Sequence, residues 1–321
     1  MFRYAMKAAA NSELQLTDRV KKFEKLNIAP IIELFLSSIK SVSDNRRKLV
    51  RNCSRFMDCE YMVHFPIQDA GSGYIYDAYD EKEDNIKMLL DFCQEINSAV
   101  LIMHRCYGFN RRIDKKEAEE RFLKKVALWD VFAEKAGAKI LIENYGFVWL
   151  PGSFGKEYVV SPLDHFFPWD ILKFNEDIGI LNLKHVGIIL DIAHAVLSSN
   201  MFNMFKRYSE LGSDRRFSNI YNSDLEKKDF LKIEDFIFDF IDYFHVSDSF
   251  IWQQKDGFGD LKRFLCSENL PIGYGNIDYA KVFKEVAGDK VVVMEINPED
   301  GNHDNNAFQL RAIEQFRDMF N

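Results

Sequence analysis

Short apolar runs alternate with longer charged segments of helical periodicity along almost the whole chain. The runs occupy residues 2–6 (FRYAM), 30–36 (PIIELFL), 60–65 (EYMVHF), 99–104 (AVLIMH), 138–144 (AKILIEN), 185–194 (HVGIILDIAH), 242–246 (DYFHV) and 290–296 (KVVVMEI). Their consecutive apolar positions suit strands covered on both faces. Between them, residues 16–27 start at a Thr or Asp cap and set Val20, Phe23 and Leu26 on one helical face. Residues 84–98 and 116–137 repeat the pattern, the second stopping at Gly137 just before the next strand. Residues 277–288 precede the last strand and 307–320 follow it. Buried strands alternating with amphipathic helices predict a parallel sheet.

Eight such units suit an α/β fold of the closed (β/α)8 TIM barrel type, with residues 1–321 forming a single domain. No G-x-G-x-x-G follows the first strand, which argues against an open dinucleotide-binding sheet. Two connections, 145–184 and 195–241, are long for a compact barrel. Both follow the carboxyl ends of strands, so they are expected to overhang the catalytic face as lids or walls.

Composition narrows the function classes. Formal net charge is -8 and the sequence pI is about 5.5. The overall field therefore disfavours a polyanion, and nucleic acid is not the expected partner. Two short basic clusters, 110–112 and 213–217, read first as solvated surface. Five cysteines without a C-x-x-C pair form neither a disulfide framework nor a zinc ribbon. The N-terminal stretch lacks the apolar core of a signal peptide, and no window reaches the roughly 20 apolar residues that span a bilayer. A cytoplasmic enzyme or binding protein is expected. The 29 phenylalanines read as packing.

The candidate chemistry lies where the strands end. In a (β/α)8 barrel all carboxyl ends meet at one mouth. Here they present His64, His104, Glu143, Asp191 with His194, His245 with Asp248, and Glu295, and Glu33 of the second strand can join them. Singly, each has a plainer explanation: a hydrogen-bonded core histidine, a helix cap at Asp191, or an ion pair to Arg or Lys at Glu143 or Glu295. Jointly they do not, because each desolvated carboxylate costs several kcal/mol without a compensating cation. Glu143, Asp191 and Glu295 together ask for a positive centre, and His245 adds a nitrogen donor that divalent transition metals accept.

In this order the segments ILIEN, IILDIAHA, DYFHVSDS, PIGYGNIDY and VVVMEIN resemble the xylose isomerase-like TIM-barrel superfamily. That superfamily holds sugar and sugar-phosphate isomerases and epimerases and the endonuclease IV type of apurinic/apyrimidinic endonuclease. The resemblance implies that Glu143, Asp191, His245 and Glu295 bind one divalent metal ion, Mn2+, Co2+, Mg2+ or Zn2+. It makes His194 a substrate-contacting or second-metal histidine, and places His64 and His104 where the endonuclease branch binds a further zinc. Gly273 and Gly275, in GYGNID, match a loop where backbone approaches substrate. One departure stands out: the Asp-Arg-His segment of the endonucleases is absent, and Ser267, Glu268 and Asn269 stand near its place.

The resemblance therefore implies a metal-dependent isomerase or epimerase acting on a small sugar or sugar phosphate, with Glu143 and Glu295 transferring the proton through an enediolate. The competing expectations are a zinc phosphodiesterase acting on abasic DNA and a binding barrel that has lost turnover. Lys184, Arg215, Arg216 and Lys255 are the candidates for recognising a phosphate.

Overall fold

The computed structural model describes residues 2–56, 58–66, 83–105, 114–145, 163, 167–213, 217, 220–257, 260–298 and 301–320. Eight parallel strands close into one barrel in chain order: β1 Phe2–Ala9, β2 Ile31–Phe35, β3 Glu60–His64, β4 Val100–His104, β5 Lys139–Glu143, β6 Val186–Asp191, β7 Tyr243–Val246 and β8 Lys290–Met294. The helices are α1 Glu13–Leu26, α2 Ile39–Ser54, α3 Glu83–Glu95, α4 Lys115–Ala136, α5 Pro168–Ile180, α6 Ile192–Arg207, α7 Asn222–Leu225, α8 Leu261–Cys266, α9 Tyr279–Val282 and α10 Ala307–Phe320. This is the single-domain (β/α)8 barrel that the periodicity predicts.

Strand registers determine how polar side chains meet. Lys7 lies level with Glu33, His104 with Glu143, and Asp191 with His245. At the β1–β8 seam Lys7 is likewise level with Glu295, and at the four remaining junctions the ladder climbs two residues: Glu33 faces Met62, His64 faces Ile102, Glu143 faces Ile189, and His245 faces Val293. Four steps of two give the stagger of eight that closes an eight-stranded barrel. Side chains alternate in and out, so an inner apolar cluster of Ala5, Ile31, Met62, Ile102, Leu141, Ile189 and Val293 fills the lumen. A larger core lies between strands and helices.

Part of the phenylalanine abundance closes the seam between the first and last units. Phe2 packs edge-on against Phe283 and Phe320 with ring centroids 5.5 and 5.2 Å apart, and Phe316 joins Phe320 at 5.6 Å. Such pairs contribute roughly 0.5–1.5 kcal/mol each beyond burial.

Several boundaries differ from the pattern reading. The first strand runs on to Ala9. Helix α1 starts three residues before the expected Leu16, capped by the Ser12 hydroxyl, which accepts from Gln15 N. Within the segment 185–194 the strand ends at Asp191, and Ile192 to His194 already form the first turn of α6. The supposed long loop from residue 195 therefore begins as helix, and residues 192–204 of that helix are all buried. A helix enclosed on every side shows no amphipathic period, which hid it from the sequence. Likewise α5 occupies residues 168–180 of the other connection; residues 146–162 and 164–166 there lie outside the described residues. No helix among the described residues is long and apolar enough to cross a membrane.

Candidate metal centre

Every strand delivers one ionisable side chain to the carboxyl end of the lumen. A residue two positions past an inward apolar side chain also points inward. Counting two on from Ala5, Ile31, Met62, Ile102, Leu141, Ile189, Tyr243 and Val293 gives Lys7, Glu33, His64, His104, Glu143, Asp191, His245 and Glu295. Glu33, His64, Glu143, Asp191 and His245 are at most 5% exposed.

One donor atom from each of Glu143, Asp191, His245 and Glu295 lies within 4.8 Å of the others, and the same holds for His64, Glu143 and His245. The hydrogen bonds around His245 test whether these groups fit a cation. Its Nε2 lies 2.7 Å from Glu33 Oε2, so that nitrogen donates its proton outward. Its Nδ1 then turns towards Glu295 Oε2 at 2.7 Å, Glu143 Oε1 at 3.0 Å and Asp191 Oδ2 at 3.9 Å. One nitrogen carries at most one proton, which cannot satisfy three carboxylates. Glu295 Oε2 is in fact buried without a hydrogen bond. Three anions and a ring nitrogen meeting at one point fit a divalent ion, and the outward Nε2–H bond to a carboxylate is the arrangement that orients a ligating imidazole.

The other histidines repeat the motif. His64 Nδ1 donates to Phe65 O at 2.7 Å, leaving Nε2 to face Glu143 Oε2 at 3.2 Å. His104 Nε2 lies 3.3 Å from the same oxygen. His194 Nδ1 donates to Asn144 O at 2.8 Å, and its Nε2 faces Glu268 Oε2 at 3.2 Å.

Proton affinities respond to the same crowding. Burial, reinforced by the charges of Glu295 and Glu143, pushes Asp191 up to about 7. Burial also pushes Glu143 up, but His104 and His245 outweigh it and hold that carboxyl well below its ordinary value. For Glu295, Lys7 and His245 likewise overcome burial. Burial opposes a charged His245, yet Glu33, Glu143 and Glu295 raise its pKa well above the ordinary value. For His104 burial prevails and lowers it to about 3. Without a metal a proton partly neutralises the cluster; a divalent cation at the same point does so more fully.

Asp191 has two duties. Its Oδ1 caps α6 by accepting from His194 N at 2.8 Å, which is the plain alternative for this residue, while Oδ2 faces the centre. Asn144 holds the strand end beneath it, donating to Asp191 O at 2.9 Å and accepting from Asp191 N at 2.6 Å.

The sequence-derived set thus assembles: Glu143, Asp191, His245 and Glu295 converge, with His64, His104 and His194 around Glu143 and Glu33 behind His245. Asp248 stands apart and organises the glycine loop, accepting from Gly273 N at 2.7 Å and from Ser249 N at 2.9 Å. A Cβ on Gly275 would lie 2.1 Å from Ser249 O, so this glycine is required by the protein's own backbone. Lys184 immediately precedes β6, at the amino end of the barrel and away from the mouth, and Lys255 is exposed on the β7–β8 connection. Arg215, Arg216 and residues 110–112 lie outside the described residues.

Sequence reasoning passed over Lys7, and it placed Glu268 only near the missing Asp-Arg-His segment, without a role. Lys7 was findable: it continues the inward parity of Ala5, had the first strand been extended past Met6. No periodic signal marks Glu268, which the loop between β7 and β8 carries to His194. The Asp248 to Leu270 bridge and the bond from Asn269 N to Ser247 Oγ at 3.1 Å hold that loop in place.

Known structures share this architecture at low identity. 3-Keto-D-glucoside 4-epimerase YcjR from E. coli superposes with a TM-score of 0.52 at 13% identity, covering 97% of this chain and 100% of that one. An AP endonuclease, family 2, from Brucella melitensis gives 0.56 at 13% identity, with 96% and 98% covered. The zinc-bound IOLI protein gives 0.53 at 15% identity, with 98% and 96% covered. No curated protein sequence matches this one. The family described as xylose isomerase-like TIM barrel matches residues 31–316, nearly the whole barrel and seven of its strands, and on that match the chain belongs to the xylose isomerase-like TIM-barrel family.

Proposed function

We propose that the protein is a divalent-metal-dependent isomerase or epimerase of a small sugar or sugar phosphate. The observation that carries this reading is the convergence of Glu143, Asp191, His245 and Glu295 at ligand spacing. Glu143, Asp191, His245 and Glu295 would hold a divalent ion, which would supply Lewis acidity towards a carbonyl and hydroxyl of the substrate. Glu143 and Glu295 come from strands three places apart in the barrel and flank the centre from different sides. One takes the proton from the hydroxyl-bearing carbon beside the carbonyl; the other, carrying a solvent-derived proton, delivers that proton to the enediolate. His194, held at Nδ1 by Asn144 O, would contact a substrate oxygen through Nε2, which faces Glu268 Oε2 in this structure. Similarity to an epimerase structure supports the class.

The test is metal content per chain by elemental mass spectrometry, then a panel of sugars and sugar phosphates in deuterated water. Solvent deuterium should enter the substrate carbon with the native protein. Glu143→Gln and Glu295→Gln should each abolish its exchange; exchange surviving in both variants overturns the mechanism.

A second reading draws on the second cluster. His64 and His104 both face Glu143 Oε2, and His64, Glu143 and His245 have ligand spacing of their own. Two ions there fit phosphodiester hydrolysis. Two or more zincs per chain and cleavage of an abasic duplex would establish it in place of the first.

A further inference from the structure

Lys7 stands at the closure of the barrel, where β1 meets β8. It is level with Glu33 on one side and, because Met6 pairs with Met294, with Glu295 on the other. Its ammonium pairs with Glu295 Oε1 and lies 3.5 Å from Glu33 Oε1. Glu33 Oε2 accepts from His245, whose Nδ1 faces Glu295 Oε2. Lys7, Glu295, His245 and Glu33 therefore close a cycle of four side chains. Among the eight inward groups, Lys7 is the only side chain whose ordinary state is cationic, set against the carboxylates of Glu33, Glu143, Asp191 and Glu295.

That arrangement has opposite effects before and after a divalent ion arrives. Without the ion, the pocket buries four carboxylates, and removing the nearest cation leaves them uncompensated. With the ion, the ammonium is a like charge a few ångströms from it, and the two repel. A lysine acting only as a mechanical anchor for Glu295 would have one effect: its loss would weaken metal binding.

We propose that Lys7 is the resident counter-cation of the centre. It keeps the carboxylate ring compatible with folding before metal arrives, and it moderates the grip on the ion so that the ion remains exchangeable. Glu33 is its partner, balancing the charge of Lys7 while orienting His245. The inference rests on the ring being a metal centre.

The experiment compares native protein with Lys7→Met, Glu33→Gln and the double variant. All are stripped with a chelator, checked by circular dichroism, melted, and titrated with Mn2+ and Zn2+ against a chromophoric chelator. Metal-free Lys7→Met should melt about 5–10 °C below native protein, the loss expected when one partner of a buried pair is removed. It should nevertheless bind the ions about tenfold or more tightly. Glu33→Gln should shift affinity the other way, weakening it by about tenfold or more. The double variant, which removes one charge of each sign, should return towards native behaviour in both measurements.

Equal or weaker binding by Lys7→Met makes Lys7 an anchor and overturns the proposal. So does a double variant whose two losses of stability simply add. If Lys7→Met does not survive metal removal, native-like recovery in the double variant, with lowered affinity in Glu33→Gln alone, still decides for the proposal. Failure of native protein to bind either ion would instead sink the metal-centre reading itself, so the two failures are distinguishable.

Discussion

Replacing a buried carboxylate at the centre should stabilise the metal-free protein. Asp191 is 2% exposed, and burial with neighbouring anions raises its pKa from 3.8 to about 7. The ionised form is thus disfavoured in the folded state. Its contribution to stability is fully present below pH 3.8, falls as pH rises towards 7, and is lost above that. That rise in pKa corresponds to about 4 kcal/mol at pH 8. Asp191→Asn removes this cost and keeps the α6 cap, since asparagine caps a helix about as well as aspartate. The amide must still satisfy its own N–H groups, which reduces the expected gain to about 2 kcal/mol, or roughly 4 °C for a chain of this size. The assay is thermal melting of chelator-treated protein from pH 4 to pH 8, with the advantage of Asp191→Asn growing between about pH 4 and 7 and then levelling. The same variant should bind metal at least about a hundredfold more weakly, because a carboxylate ligand is gone. A metal-free Asp191→Asn that is less stable than native protein at pH 8, or an advantage independent of pH, would refute the electrostatic account.

Other perturbations test the fold and the centre separately. Metal affinity should fall about fivefold from pH 7 to pH 6 and approach tenfold per pH unit below that, because the ion must displace the proton from Asp191; titration at pH 5, 6, 7 and 8 checks this, and a flat profile counts against the assigned ligand. Gly275→Ala should cost about 3 kcal/mol or more in urea unfolding, since its Cβ would meet Ser249 O at 2.1 Å and Asp248 Oδ1 at 2.4 Å. Gly273→Ala should cost only about 1 kcal/mol, as its φ of +92° is strained for alanine but the surrounding space is open. Asn200→Ala should lose about 3–5 kcal/mol in the same measurement, because its buried amide donates to Phe250 O and Phe264 O at 2.7 Å each and accepts from Trp252 N at 2.7 Å.

By itself the sequence determined the barrel and most of the polar side chains that meet at its mouth. Eight buried strands between helices have few ways to pair, and a closed parallel barrel sends every strand's carboxyl end to one mouth. Glu143, His245 and Glu295 were legible because each follows an apolar inward position by two residues, and parity is a local property of the backbone. Tertiary structure alone decided what is not local. Full burial erased the period of α6 and made its residues resemble a strand running into a loop. The register at the β1–β8 seam brought Lys7 to Glu295 across almost the whole length of the chain, and the loop between β7 and β8 carried Glu268 to His194. Which nitrogen of His245 faces the carboxylates follows from Glu33 on a distant strand, since a hydrogen bond made in space, with no trace in sequence spacing, orients the ring.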